Sequence, residues 1–473
     1  MSRILPVLRW GLLGTIVAFV STAGINAVVV PWTGAFDSRF HMNYILAVYR
    51  GELPDPAGIV SAHPPFYYLL MSGLVGRLLE TDHFTLAVAI TRAVNIGFGV
   101  ATILVLAWIG WMLGGARKTA LAIALPAISV LITPFIRIAG DVYNDVLSTL
   151  LCVIAIALAI ALLKRGPRVP LVLALGVVSV VGMSTRSTFV ASFGLSMLAL
   201  IAAFAIHGSG SRARRGLTGV GIVAAIGAVT MAVIGWFYLR NYQLSGSWFR
   251  SRPKQAGGGR DYQSLSDNLM NPDYYLVAFA RLLGFRDWAG WLPVNGAVSL
   301  VISAVCVTGL IIWLVRSARW RSLLATVEQR LIAVLLVALL VGVYAMQLQH
   351  ATGWGNINLR YILPGIVSLG LILAAGALAW ERARGQLVTV ILAILAVGAT
   401  FDVVWNVGPR DEYVSTSNPL AHVPTALAEN GVPFAILPIL LLGMLVGLLI
   451  TGIALFRATE PAAPTLSPRR NLA

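Results

Sequence analysis

The chain predicts an all-α polytopic membrane protein of about 12 transmembrane helices, and three observations carry this: its composition, the length of its apolar runs and the placement of its basic residues. Of 473 residues, 58% are hydrophobic and 11% charged, with a mean hydropathy of +0.85. A water-soluble domain cannot cover so much apolar surface, so the solvent is lipid. The apolar runs are about 20 residues long, the length of a spanning helix, whereas barrel strands alternate over about 10.

In chain order the runs lie at 10–30, 87–113, 119–137, 142–163, 169–184, 187–206, 217–239, 297–315, 331–348, 359–379, 387–405 and 434–456. The first is preceded by Arg3 and Arg9 but is long and lacks a small-x-small cleavage site, so it reads as a retained helix. Short cytoplasmic loops collect Lys and Arg. Here Arg117 and Lys118, then Lys164, Arg165 and Arg168, then Arg212, Arg214 and Arg215 fall on every second loop. Arg316, Arg319 and Arg321, then Arg382 and Arg384, then Arg457, Arg469 and Arg470 continue the pattern. This alternation expects an inner (plasma) membrane protein with both termini cytoplasmic. It also keeps the broken apolar segment 66–79 out of the count, as an interfacial helix on the outer face. The net charge of +16 is therefore a topology signal and implies no nucleic-acid partner. Cys152 and Cys306 lie inside apolar runs, which indicates no disulfide framework.

The expected organisation is a membrane domain over 1–456 and a disordered cytoplasmic tail over 457–473, with no large C-terminal domain. Its outer loops span 31–86, with interfacial helices, 240–296 and 406–433. Cytoplasmic loops are short and merely basic, so chemistry belongs to the outer face.

Asp37 and His41 stand four residues apart, on one face of a helix, with Tyr44 after them and His63 further along the same loop. A desolvated carboxylate there can take a proton from a hydroxyl; helix capping by Asp37 is the plainer alternative. Asp141, Asn144 and Asp145 open the run at 142–163. Capping accounts for Asp141, while Asp145, one turn deeper, reads as a metal or substrate ligand. Arg186, Arg240 and Arg360 sit on the outer face against the topology bias, as phosphate-binding forks or as snorkelling anchors. Arg250, Arg252, Lys254 and Arg260 surround Gly257, Gly258 and Gly259, a flexible loop before a phosphate cradle, and Trp288 and Trp291 read as interface residues before sugar platforms. No HExxH, Walker A, CxxC or GxSxG motif occurs, so zinc protease, ATPase, thiol redox and nucleophile-elbow chemistry lack support.

The acid at the exit of the first helix, the D-x-x-x-H spacing, G-x-L-P at 51–54 and H-P-P-x-Y-Y at 63–68 resemble the GT-C superfamily of membrane glycosyltransferases. The resemblance is strongest to the branch around protein O-mannosyltransferases and lipid A aminoarabinose transferases. It continues in NDVLSTLL at 144–151, in Arg240, Asn241 and Gly246, and in Arg360, Tyr361, Leu363 and Pro364. The resemblance implies a GT-C fold and a polyprenyl-phosphate-linked sugar donor, used on the non-cytoplasmic face by an inverting displacement. The acceptor is a hydroxyl of a lipid, glycan or protein. Asp37 matches the family's catalytic acid of the first loop, and Asn144 with Asp145 its acidic motif. Arg186, Arg240, Arg360 and Tyr361 are expected at the donor phosphate, and His41, His63, Asn144 and Asp145 as orienting groups. Relatives often carry two adjacent first-loop acids, whereas here Ser38 follows Asp37. A divalent cation, Mg or Mn, on Asp37 and Asp145 stays open. The competing class is a transporter or flippase of a lipid-linked sugar, which expects polar groups at mid-membrane and matching broken helices.

Overall fold

The structure, a computed structural model, describes residues 4–32, 37–55, 58, 60–207, 210–248, 264–284, 292–316, 321, 324–354, 357–381, 383–407 and 421–460. Among them there are helices and connecting turns but no strand. The protein is an integral, multi-pass membrane protein. Among the described residues ten helices are long and apolar enough to cross a bilayer. The long ones are α1 (Ile4–Val29), α4 (Phe84–Leu113), α7 (Asp145–Arg165), α9 (Val190–His207), α10 (Arg212–Ser245), α13 (Leu292–Arg316), α14 (Val327–Trp354), α16 (Arg384–Phe401) and α18 (Ile436–Thr459). A 3-10 turn, Leu359–Gly365, runs into α15 (Ile366–Ala377) to make the tenth. The remaining two expected runs are the short apolar helix α8 (Val169–Met183) and a bent pair, α5 (Lys118–Leu131) with α6 (Thr133–Ala139).

The bent pair corrects the continuous run expected at 119–137: its two helices meet at 72°. Ile132 between them is extended, with φ −62° and ψ 136°, and Pro134 occupies the first turn of α6. A proline there lacks an N–H the helix would not use, so the sequence restarts rather than continues. The freed Thr133 N–H donates to Leu282 O at 2.8 Å. Hydropathy is blind to this break because both pieces are apolar. A smaller difference is that α18 continues to Thr459, past the expected end at 456. The expected basic-glycine segment, Trp288, Trp291 and the tail beyond 460 lie outside the described residues.

The loop after α1 contains two short helices, as expected, α2 (Ser38–Tyr49) and α3 (Phe66–Glu80). α3 buries Tyr67, Tyr68, Met71 and Val75 and leaves Leu69 and Leu74 exposed, an apolar outer face suited to a membrane interface. Helix α7 is the hub. It has no polar face, and 94% of its apolar window is buried against 17% for peripheral α10. A helix apolar all round belongs inside the bundle. The lipid-facing belt consists of residues such as Leu173, Met231, Val337 and Leu445, each more than half exposed.

Helices α1 and α18 pack through small residues. A Cβ added at Gly14 would lie 2.7 Å from Thr451 N and 2.8 Å from Gly447 O. With lipid on both sides of the comparison, close backbone approach and dispersion hold such a pair together. Gly447→Val, forced against Ala18 and Gly14, is expected to destabilise the protein by about 1–3 kcal/mol or more. Thermal unfolding in detergent measures this, and unchanged stability contradicts the packing.

Candidate active site

The polar groups singled out in the sequence converge at one end of the bundle, where α2 begins, α7 begins, α8 ends and the 3-10 turn begins. Asp37 is the N-cap residue of α2, yet its side chain makes no cap hydrogen bond. Its carboxylate takes Arg360 Nη1 at 2.9 Å instead. A side-chain cap contributes roughly 1 kcal/mol, so the plainer reading of Asp37 fails on geometry: the carboxylate is turned to the guanidinium. Arg360 also donates from Nη2 to Tyr361 Oη at 3.0 Å and lies over the rings of Tyr143 (5.5 Å) and Tyr361 (5.1 Å). Tyr143 Oη accepts the Asp37 N–H at 3.1 Å. Arg360 Nε is buried and, among the described residues, has no hydrogen-bond partner.

A second pair lies alongside. Arg186 Nη1 donates to Asn144 Oδ1 at 2.8 Å and Asp145 Oδ2 at 3.0 Å, and faces His63 Nε2 at 3.2 Å. Asn144 is the N-cap of α7 and, like Asp37, forgoes capping to hold an arginine. Arginine only donates, so His63 Nε2 accepts. Between the two pairs stands His41, with its ring 6.2 Å from His63 and edge-on to Tyr143 at 5.2 Å. His41 Nδ1 is 2.9 Å from Tyr68 Oη. Tyr44 stacks on Tyr68 at 3.7 Å and donates to His63 O at 3.0 Å.

Burial and charge set the protonation states. Burial pushes the Asp37 carboxyl up, but Arg360 beside it, with His41 and Arg186, holds it below the usual carboxylate range, so it is ionised. Burial lowers His41 to about 4 against the opposing pull of Asp37, and lowers His63 well below its usual value. Both imidazoles are neutral near pH 7. Burial raises Tyr68, which therefore keeps its proton, and its hydroxyl shares a 2.9 Å hydrogen bond with His41 Nδ1.

Arg240 is placed differently from the other two arginines. Its Nη2 donates to Pro54 O at 3.1 Å, and Asn241 Nδ2 to Ala62 O at 3.3 Å, so the end of α10 supports the first loop from outside the Asp37 cluster. Arg240 Nη1 is buried and without a hydrogen-bond partner among the described residues.

The sequence reading passed over Arg92 and Asn95, inside the run at 87–113. Arg92 is 3% exposed and donates to Asp141 Oδ1 (3.2 Å), Ala27 O (2.6 Å), Val30 O (2.9 Å) and Asn430 Oδ1 (3.3 Å). Asn95 donates to Asp141 O at 2.7 Å, and Ser38 Oγ to Asp141 Oδ1 at 2.7 Å. Asp141 therefore does not cap α7, which begins four residues later; it anchors the first loop and α4 to the α6–α7 turn. An arginine within an apolar run is the signal that marks such a site.

Asp37 and Asp145 are each occupied by a guanidinium, and among the described residues no group of three His, Cys, Asp or Glu side chains comes together. That donor set does not fit a divalent cation.

Two solved structures are similar to this chain. One is ArnT from Cupriavidus metallidurans bound to undecaprenyl phosphate, at 16% identity, covering 96% of this chain and 77% of that one with a TM-score of 0.49. The other is ArnT from Cupriavidus metallidurans in the apo state, at 13% identity, covering 97% and 78% with a TM-score of 0.45. No protein-family model and no curated protein sequence matches the chain.

Removing one member of a buried ion pair strands the other, at about 3–5 kcal/mol. Arg92→Leu is expected to lose that much stability, and Arg92→Leu with Asp141→Asn to recover part of it, in a double-mutant cycle read by thermal unfolding. Additive losses contradict the pairing.

Proposed function

We propose that this protein is a GT-C-type glycosyltransferase that moves a sugar from a polyprenyl-phosphate donor to a hydroxyl acceptor on the non-cytoplasmic face, with Asp37 as general base. One observation carries the reading: Arg360 clamps Asp37 with one guanidinium nitrogen while its buried Nε–H has no acceptor. A buried donor without a partner is costly. A donor phosphate satisfies it, bidentate on the guanidinium fork.

The chemistry follows from charge. As the phosphate takes Arg360, the carboxylate of Asp37 loses the cation that depresses its basicity, while the burial that raises it remains. Asp37 then accepts the proton of the acceptor hydroxyl. The acceptor oxygen forms a bond to the anomeric carbon on the face opposite the phosphate, the carbon–oxygen bond to phosphate breaks, and the polyprenyl phosphate leaves with the electron pair. Arg360, with Arg186 in the neighbouring pair, stabilises the charge developing on that phosphate, the largest contribution in such sites, while Arg240 acts from outside the cluster by holding the first loop. Tyr361 holds the Arg360 guanidinium in plane, and His41, His63, Asn144 and Asp145 orient the substrates as neutral or paired groups. No step is routed through a metal.

The placement of the site outside the cytoplasm rests on the alternating basic loops, which also put both termini in the cytoplasm. The transporter alternative expects its polar groups at mid-membrane. The gathering of Asp37, Asp145, Arg186 and Arg360 at helix ends favours the enzyme.

Asp37→Asn keeps the shape and loses the base, and is expected to lower transfer by about 10²–10⁴-fold while folding and membrane insertion persist. Purified protein incubated with radiolabelled polyprenyl-phosphate sugars and membrane extract measures it. Transfer at the wild-type rate sinks the assignment of Asp37.

A further inference from the structure

At the other end of α7, 21 residues along and so about 30 Å from the Asp37 cluster at 1.5 Å per residue, the protein has a second basic site. A cavity of about 510 Å³ there is lined by Arg165, Arg168, Arg215, His207, Thr218 and Phe204, with the Gly166–Pro167 backbone between the first two. Gly166, at φ +79° and ψ 169°, turns the chain sharply out of α7, which brings Arg165 and Arg168 to one mouth. His207, at the end of α9, is fixed by a 2.8 Å hydrogen bond between Nε2 and Leu163 O. Arg215 and Thr218 come from the first turns of α10. Among the described residues the lining contains three guanidiniums and no carboxylate.

Positive loops alone require basic residues somewhere near the surface, not three of them around one cavity. Three guanidiniums around one cavity, Arg165 and Arg168 exposed and Arg215 half-buried, repel one another unless an anion sits among them, and guanidinium forks match phosphate oxygens. The surroundings choose between a soluble anion and a lipid. Phe204 is the apolar part of the lining, and residues that neighbour the lining in sequence on both helices are bare of protein: Val169 and Leu173 on α8 are 70% and 65% exposed, and Leu217 and Val220 on α10 are 71% and 48% exposed. α8 and α10 pack together beyond the cavity, where a Cβ on Gly176 would touch Ile226 at 3.6 Å. A headgroup phosphate in the cavity thus has an apolar path for its acyl chains along both helices, and a free anion has no use for one. Basic pockets between membrane helices on the positive-loop side bind anionic headgroups by this combination.

We infer that this cavity binds the phosphate of an anionic membrane lipid, held by Arg165, Arg168 and Arg215 with its acyl chains along α8 and α10. The site is separate from the Asp37 cluster and independent of the reaction proposed there.

The test is native mass spectrometry of the purified full chain released from vesicles of equal phosphatidylglycerol and phosphatidylcholine. The wild type is expected to retain phosphatidylglycerol over phosphatidylcholine by about tenfold. Arg168→Gln with Arg215→Gln is expected to bring the ratio near one. Because neutralising a positive loop can disturb insertion, Arg168→Lys with Arg215→Lys serves as the second variant. It keeps the charge, loses the fork, and is expected to fall between the two. Retention of the lipid in the presence of millimolar inorganic phosphate supports the lipid site. Displacement by phosphate overturns it in favour of a soluble anion, and equal retention of both lipids by the wild type, or undiminished preference in both variants, overturns it outright.

Discussion

A charge inside an apolar helical bundle must be neutralised where it stands, and among the described residues this protein meets that constraint with four aspartate–arginine pairs, one of them Arg137–Asp402 at 3.8 Å between α6 and the end of α16 and the other three around the candidate site. Arg92–Asp141, Arg186–Asp145 and Arg360–Asp37 close at 3.2, 3.0 and 2.9 Å. Each joins segments far apart in sequence: α4 to the α6–α7 turn, α7 to the α8–α9 connection, and the first loop to the turn before α15. Apolar packing alone is nearly indifferent to which lipid-like surfaces meet. The pairs specify it, since a mismatched arrangement strands a buried charge. Such pairs add little net stability over apolar substitutes, so their value lies in selecting one arrangement.

The pairs are not equivalent, and their exposure separates scaffold from chemistry. Arg92 and Asp141 have side chains 3% and 6% exposed, while Arg360 and Asp37 are 12% and 23% exposed. Arg92 donates from both Nη atoms to carbonyls of α1 and its exit and to Asn430, so it holds the first loop against the bundle, although its Nε, like that of Arg360, is buried without a hydrogen-bond partner among the described residues. Arg360 is held by one carboxylate and one phenol, with a buried nitrogen to spare. The sealed pair positions the accessible one. In the reaction we propose, an ion pair that the donor phosphate opens would link donor binding to base strength, keeping the base weak until the donor is present.

Much of this was legible in the chain. The twelve apolar runs all fall on helical segments, one of them broken into the bent α5–α6 pair, because lipid imposes one length and one polarity on a span. Asp37, Asp145, Arg186 and Arg360 stood out because ionisable groups beside spans are rare. Pairing was not legible: nothing in 323 residues of separation between Asp37 and Arg360 indicates that they touch. Capping was a sound expectation for Asp37 and Asp141 and lost in both cases to a guanidinium, a long-range partner that local sequence cannot reveal. The break at Ile132 escaped because apolar character hides a bend. Arg92 escaped because it lies inside a run that spans regardless of it.

The central claim, that a donor phosphate takes Arg360 from Asp37 and so strengthens the base, is tested most directly by difference infrared spectroscopy on protein labelled with ¹³C-aspartate. The carboxylate band that Asp37→Asn removes is titrated with and without undecaprenyl phosphate. The account predicts that the lipid phosphate moves the titration of that band to higher pH and weakens its coupling to Arg360. A band whose titration is the same with and without the phosphate contradicts it.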